Sequence, residues 1–197
     1  MIKNIILDIG NVLAAFRWQE VFSELGFSSK VQAELARATV KSNLWLELDR
    51  SARPDEEIME ECIAACPLYE AEIRLFFLHL SETVREYPYA ADWIKELKAA
   101  GYGVYILSKY GKTVYSLTHG GLSFLPLADG GVFSFEVKRV KPEAEIYRAL
   151  LEKYGLEPAE CLFFDDNPTN VEGAQALGIN AAVFTTLEEA KATLLRF

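Results

Sequence analysis

The sequence predicts an α/β protein, a Rossmann-like parallel sheet flanked by helices with a small all-helical cap inserted after the first strand. Three observations lead there. Short β-branched or aromatic apolar runs recur along the chain and stop at polar residues, as buried parallel strands do. Segments of helical period that end at a glycine lie between them, which is the rhythm of βαβ units. One stretch near the start breaks that rhythm and shows helical spacing alone. At 197 residues, against roughly 100–200 per domain, the chain has room for one core and one small insert.

Ile5-Ile6-Leu7 is the first strand and ends in the turn Asp8-Ile9-Gly10-Asn11. From Phe16 to Tyr87 no strand stands out; Val21 with Leu25, and Val31 with Leu35, repeat at helical spacing, and Pro54-Asp55-Glu56-Glu57 resembles a helix start before Ile58. The expected division is a core of residues 1–15 and 87–197 and a helical cap of residues 16–86. Ala90 to Ala100 then reads as a helix stopped by Gly101, and Val104-Tyr105-Ile106-Leu107 as a strand ending at Ser108. Val132-Phe133-Ser134-Phe135 is read as an additional strand. A helix from Glu143 to Tyr154 stops at Gly155 and leads to the strand Cys161-Leu162-Phe163-Phe164, which ends at Asp165-Asp166. A helix near Val171–Leu177 precedes the last strand, Ala181-Ala182-Val183-Phe184.

Composition narrows the function. With 29 acidic against 20 basic residues and a formal charge of −9, the chain lacks the basic face that nucleic acids and anionic membranes require. No uninterrupted apolar segment nears the ~20 residues of a membrane span, and Met1 to Asp8 does not read as a secretory signal. Three cysteines, Cys62, Cys66 and Cys161, make no disulfide framework; a cytoplasmic location is expected. Cys62 and Cys66, four apart on one helix, read as small core residues. Two histidines, neither at ligand spacing from a cysteine or carboxylate pair, argue against a zinc site or a Ser/His/Asp triad.

In open parallel sheets ligands bind beyond the carboxyl ends of the strands, where Asp8, Ser108 and Asp165-Asp166 are expected. Together with Lys141 these suit phosphoryl chemistry. A carboxylate can attack phosphorus and divide one hydrolysis into two steps. Mg²⁺ takes carboxylate oxygens, here from Asp8 with Asp165 or Asp166. A hydroxyl at Ser108 and a point charge at Lys141 answer the phosphate oxygens. Each residue also has an ordinary reading: turn aspartate, helix N-cap pair, solvated loop lysine.

The order Asp8-Ile9-Gly10-Asn11-Val12, Leu107-Ser108, Lys141-Pro142 with Ile146-Tyr147, and Phe163-Phe164-Asp165-Asp166-Asn167 with Asn170 resembles the haloacid dehalogenase superfamily, subfamily with a helical cap after the first strand. Within it the motifs resemble the branch of α-glucose-1-phosphate phosphatases. The resemblance implies Asp8 as nucleophile, Ser108 as phosphate binder and Lys141 bridging the two. It also implies Mg²⁺ on Asp8, the Gly10 carbonyl and Asp166, with Asp165 in contact with the ion or one layer behind it. The implied substrate is a small phosphorylated metabolite such as a sugar phosphate, with no nucleic-acid or membrane partner.

Two positions depart from the wider pattern. Most phosphatases of the superfamily carry an acid–base aspartate two residues after the nucleophile, where this chain has Gly10; the resembling branch shares the glycine. Lys109 stands where that branch has a small polar residue; its N–H is still able to bind phosphate, and two roles stay open for its side chain, favouring an anionic substrate or narrowing the pocket. The rival activities are a 2-haloacid dehalogenase, which resembles Ser-x-Asn where this chain has Asp165-Asp166, and a non-catalytic phosphate sensor that has lost its acid. Phe16, Arg17 and Trp18 at the entry to the cap are candidates to line the site, and Trp45 to grip substrate or fill the cap core.

Overall fold

The computed structural model describes residues 1–197. In chain order its elements are β1 (Asn4–Leu7), β2 (Ala14–Phe16), α1 (Trp18–Glu24), α2 (Ser29–Ala38), α3 (Asn43–Arg50), α4 (Asp55–Ala65), α5 (Glu70–Leu78) and β3 (Val84–Glu86). There follow α6 (Ala90–Ala99), β4 (Gly103–Ser108), α7 (Lys112–Thr118), β5 (Gly130–Phe133), α8 (Ser134–Val137), α9 (Ala144–Tyr154), β6 (Cys161–Asp165), α10 (Pro168–Gln175), β7 (Asn180–Val183) and α11 (Leu187–Leu194).

Five strands form one sheet in the order β5-β4-β1-β6-β7, and every neighbouring pair is parallel. The alternation along the strands explains the helices on both faces. Ile5 and Leu7, Val104 and Ile106, and Leu162 and Phe164 share one core with Trp93, Ile94 and Leu97 of α6. Ile6, Leu107, Cys161 and Phe163 face the other way, onto Ile146, Tyr147 and Leu150 of α9. Strands buried on both faces have no polar side to expose, so they read as continuous apolar runs. Gly155 stops α9 in the left-handed conformation, φ 62°, which glycine adopts without a Cβ penalty.

Three expectations change. The stretch read as strand-free contains β3, which pairs antiparallel with β2 through Ala14–Glu86, Ala15–Arg85 and Phe16–Val84. At three residues per strand the ribbon is too short to leave a period-2 signal; the expected boundary 15/16 falls inside β2, and 86/87 coincides with the end of β3. The run Val132 to Phe135 is strand only to Phe133; Ser134 begins α8. Ser134 is fully buried, and its hydroxyl bridges loops instead of lying on a strand face. Pro54 precedes α4 without a side-chain capping bond; the acidic first turn, Asp55-Glu56-Glu57, complements the helix dipole. No helix is long and apolar enough to cross a membrane.

Between β2 and β3 the chain is helical, and α3 is pinned to the sheet's C-terminal side. Ser134 Oγ donates to the Asp49 carbonyl at 2.7 Å, and Arg50 grips Glu143 at 2.7 and 3.0 Å. Lys112 N–H donates to Ser51 Oγ at 2.9 Å, and Lys138 Nζ to the Ser51 carbonyl at 2.5 Å. Gly111 makes the approach possible, since a Cβ there would lie 2.8 Å from the Leu48 carbonyl oxygen.

Candidate active site

The C-terminal ends of β1, β4 and β6 converge, as the sequence predicts, and β1 holds the switch point between β4 and β6. Asp8, Ser108 and Asp165 are each buried there. Lys141, readable from sequence as a loop charge, is the largest charged side chain that is fully buried. Its Nζ lies 2.8 Å from Asp8 Oδ1 and 2.6 Å from Asp165 Oδ2, and it donates to the Leu107 carbonyl at 2.8 Å. All three ammonium donors are used, so the lysine locks three strand ends together.

The electrostatics follow from that arrangement. Burial disfavours the Asp8 carboxylate and pushes its pKa up to about 6; Lys141 and the Ser108 hydroxyl oppose the shift while Asp165 adds to it. Asp165 is also penalised by burial, yet Lys141, the Asn167 N–H and the Asn170 amide hold it below the usual carboxylate range. For Lys141 burial acts against the charge and the two carboxylates outweigh it. Near neutral pH Asp8 is therefore mainly ionised, with one oxygen on Lys141.

Asp166 takes a different position from Asp165. Its Oδ2 accepts from Asn11 Nδ2 at 2.8 Å, and Asn11 sits at φ 55°, the left-handed region that asparagine tolerates better than most residues. Asp165 has both oxygens engaged, Oδ1 by Asn167 N–H and Asn170 Nδ2, Oδ2 by Lys141 and again Asn170. The helix N-cap reading of the pair is excluded: Asn167 caps α10, its Oδ1 accepting from Thr169 N–H at 2.9 Å.

Asp8, Asp165 and Asp166 each bring a carboxylate oxygen within 4.8 Å of the others. Asn170 Oδ1 is buried nearby with no hydrogen-bond partner, an oxygen left over in a site otherwise fully paired. An all-oxygen donor set of this charge fits a hard divalent cation.

Asp8, Ser108, Asp166 and Asn170 floor a cavity of about 390 Å³, within the range of small-molecule sites. Gly10, Lys109 and Asn167 lie in its core wall; Phe16 and Val84 come from the β2-β3 ribbon; Val40, Lys41, Asn43, Trp45, Leu46 and Asp49 come from the inserted helices. Of the entry residues, Phe16 reaches the cavity. Arg17 is buried elsewhere, bound to Glu20, Glu24 and the Glu82 carbonyl, and Trp18 packs edge-on against Phe22. Trp45 both lines the cavity and stacks with Phe76. Cys62 and Cys66 are buried and unbonded. His79 and His119 bond to Glu82 and the Tyr115 carbonyl, outside the cavity.

Sequence reasoning did not single out Asp49. It sits in Leu46-Glu47-Leu48-Asp49-Arg50, a helix end with charged neighbours and no motif, and only the docking of α3 brings it to the site. Burial pushes its carboxyl up to about 7, against the pull of Lys109. Asn11 and Asn170 were visible as motif members; their hydrogen bonds to the aspartate pair are a product of the fold.

A family model described as haloacid dehalogenase-like hydrolase matches residues 2–178. A sesquiterpene phosphatase from Aspergillus oryzae is 24% identical over 178 residues, covering 90% of this chain and 87% of its own length. Another matched relative is spanned over 36% of its length only. Among solved structures, a haloacid dehalogenase family enzyme from Bacteroides thetaiotaomicron, in complex with magnesium and inorganic phosphate, superposes with a TM-score of 0.71 at 23% identity, covering 94% of this chain and 95% of that one. An L-2-haloacid dehalogenase from Xanthobacter autotrophicus with chloropropionic acid covalently bound gives 0.70 at 20% identity, covering 100% and 83%. At these identities the superpositions speak for the fold.

Proposed function

The chain belongs to the haloacid dehalogenase-like hydrolases, and on that premise we propose that it is a Mg²⁺-dependent phosphomonoesterase acting on a small phosphorylated metabolite through an aspartyl-phosphate on Asp8. The observation that carries the reading is the second acidic residue beside the lysine-paired nucleophile. Asp166, oriented by Asn11, projects to the cavity, while Asp165 is consumed by Lys141 and Asn170. A nucleophile meeting a neutral haloacid carbon has no need of a cation; one meeting a phosphate dianion does.

Asp8, the Gly10 carbonyl and Asp166 are the groups that would hold the ion, with Asp165 one layer behind, setting Lys141 and Asn170. When bound, Mg²⁺ supplies positive charge to the phosphate oxygens and lowers the repulsion between ester and carboxylate. Lys141 holds Asp8 Oδ1, which leaves the other oxygen to face phosphorus. Ser108 and the Lys109 N–H offer donors to the transferring group, and the Lys109 side chain adds local positive charge in an acidic molecule. Phe16 and Trp45 enclose the apolar part of the ester and exclude bulk water. The phosphatase relative is consistent with this class of substrate and does not specify the alcohol.

The test is Mg²⁺-dependent phosphate release from p-nitrophenyl phosphate and a sugar-phosphate panel. Asp8→Asn and EDTA are each expected to abolish turnover. Turnover that survives either one removes the mechanism, and defluorination or dechlorination of 2-haloacids without metal would put the dehalogenase in its place.

A further inference from the structure

Hydrolysis of an alkyl phosphate has to deliver a proton to the departing oxygen, because an alkoxide is a poor leaving group in neutral water. Gly10, adjacent to the nucleophile's turn, has no proton to give, although space is not the obstacle: a Cβ there would meet nothing within 4 Å. The titratable groups facing the cavity can be taken in turn. Asp8 is the nucleophile. Asp165 and Lys141, behind the cavity wall, are committed to each other, and Asp166 to Asn11; of the lining lysines, Lys41 lies with its ammonium over the Trp18 ring and Lys109 is assigned to the phosphate. The Tyr110 hydroxyl is turned away onto Thr118 and is pushed up to about 12 by burial.

Asp49 is left. It reaches the cavity from the end of α3, half-buried beside the loop that follows β4, with Gly111 N–H as its backbone donor and no side chain hydrogen-bonded to its carboxyl. Its place is built, since Asp49 and the two residues after it are fastened to the core, the Asp49 carbonyl by Ser134, the Arg50 guanidinium by Glu143 and Ser51 by Lys112 and Lys138. An ordinary surface aspartate would need none of these anchors.

We propose that Asp49 is the acid–base residue of this enzyme, supplied by the inserted helices in place of the residue missing at position 10. The assignment rests on the phosphatase reading. In the first half-reaction an Asp8 oxygen bonds to phosphorus, the P–O bond to the alcohol breaks with its electron pair on the alcohol oxygen, and the Asp49 proton moves onto that oxygen. In the second, the Asp49 carboxylate takes a proton from water as the water oxygen attacks phosphorus. The P–O bond to Asp8 then breaks, and Asp8 leaves as a carboxylate. Ester and water are converted to alcohol and phosphate, and both aspartates return to their starting forms. Desolvation of Asp49, opposed by the charge of Lys109 and assisted by that of Asp8, keeps the carboxyl protonated close to neutral pH, where an acid of this kind is most effective.

The experiment compares wild type, Asp49→Asn and Lys109→Met in stopped-flow and steady-state assays, using p-nitrophenyl phosphate and an alkyl phosphate. Asp49→Asn is expected to lose ~10²–10⁴-fold in alkyl phosphate turnover. It should keep the p-nitrophenol burst, because that leaving group departs unprotonated, and lose the steady-state rate that follows the burst. The fall of wild-type alkyl turnover as pH rises through about 7 should be absent in the variant. Restoration of alkyl turnover by Gly10→Asp in the Asp49→Asn background would support the same role. Loss of the p-nitrophenol burst together with alkyl turnover, in a variant whose thermal unfolding matches wild type, would overturn it, as would leaving-group sensitivity appearing in Lys109→Met instead. If wild type hydrolyses no phosphate ester while retaining its fold, the phosphatase reading itself falls and takes this assignment with it.

Discussion

Lys141 shows how little a residue type says about its setting. Placed before Pro142, it has the look of a solvated loop charge, yet its side chain is 0% exposed and pairs two buried carboxylates. Removing one member of such a cluster leaves uncompensated buried charge. Lys141→Met is therefore expected to destabilise by about 3–5 kcal/mol, read from urea unfolding, and to raise the pH at which Asp8 ionises. Asp49 makes the opposite case, a carboxyl whose burial favours the protonated form. Its folded pKa of about 7 stands above the unfolded value near 3.8. The stability it contributes is full below pH 3.8 and is lost as pH rises to about 7. In Mg²⁺-free buffer, Asp49→Asn should lose less stability than wild type between pH 4 and pH 8, and a thermal melt at each pH measures the difference.

At the scale of elements, the decisive contact is the end of α3 against the loop after β4. The Leu48 carbonyl comes so close that only glycine fits at position 111. Gly111→Ala must push α3, and Asp49 with it, away from the strand ends. A displacement near 1 Å is expected to cost about 10²-fold in kcat/KM with little loss of overall stability, measurable by steady-state kinetics alongside a melt. The five-stranded sheet was legible element by element, because buried parallel strands and the helices between them carry separate periodicities. The β2-β3 ribbon and the start of α8 were not: their identity depends on pairing and side-chain bridging between residues far apart in sequence, such as Phe16 with Val84 and Ser134 with Asp49.

For the whole molecule, the charge of −9 acquires a distribution. Three of the acids lie together at the strand ends, and Lys141 is the buried counter-charge. A cation that binds the folded site and not the unfolded chain must stabilise the fold by mass action, about 2.7 kcal/mol at a hundred times its Kd. Mg²⁺ is expected to raise the melting temperature of wild type and to leave Asp166→Asn nearly unmoved; an equal shift in both proteins would argue against the assigned ligands. The sequence by itself determined the sheet, its buried strands and the four segments that bear Asp8, Ser108, Lys141 and the Asp165-Asp166 pair, because strand ends and turns are local in the chain. Only the tertiary structure decided that Asp166 faces the cavity while Asp165 turns inward, that Arg17 stays out of the site, and that Asp49 enters it. Those outcomes depend on which helix docks where, and docking is set by surfaces that no single segment contains.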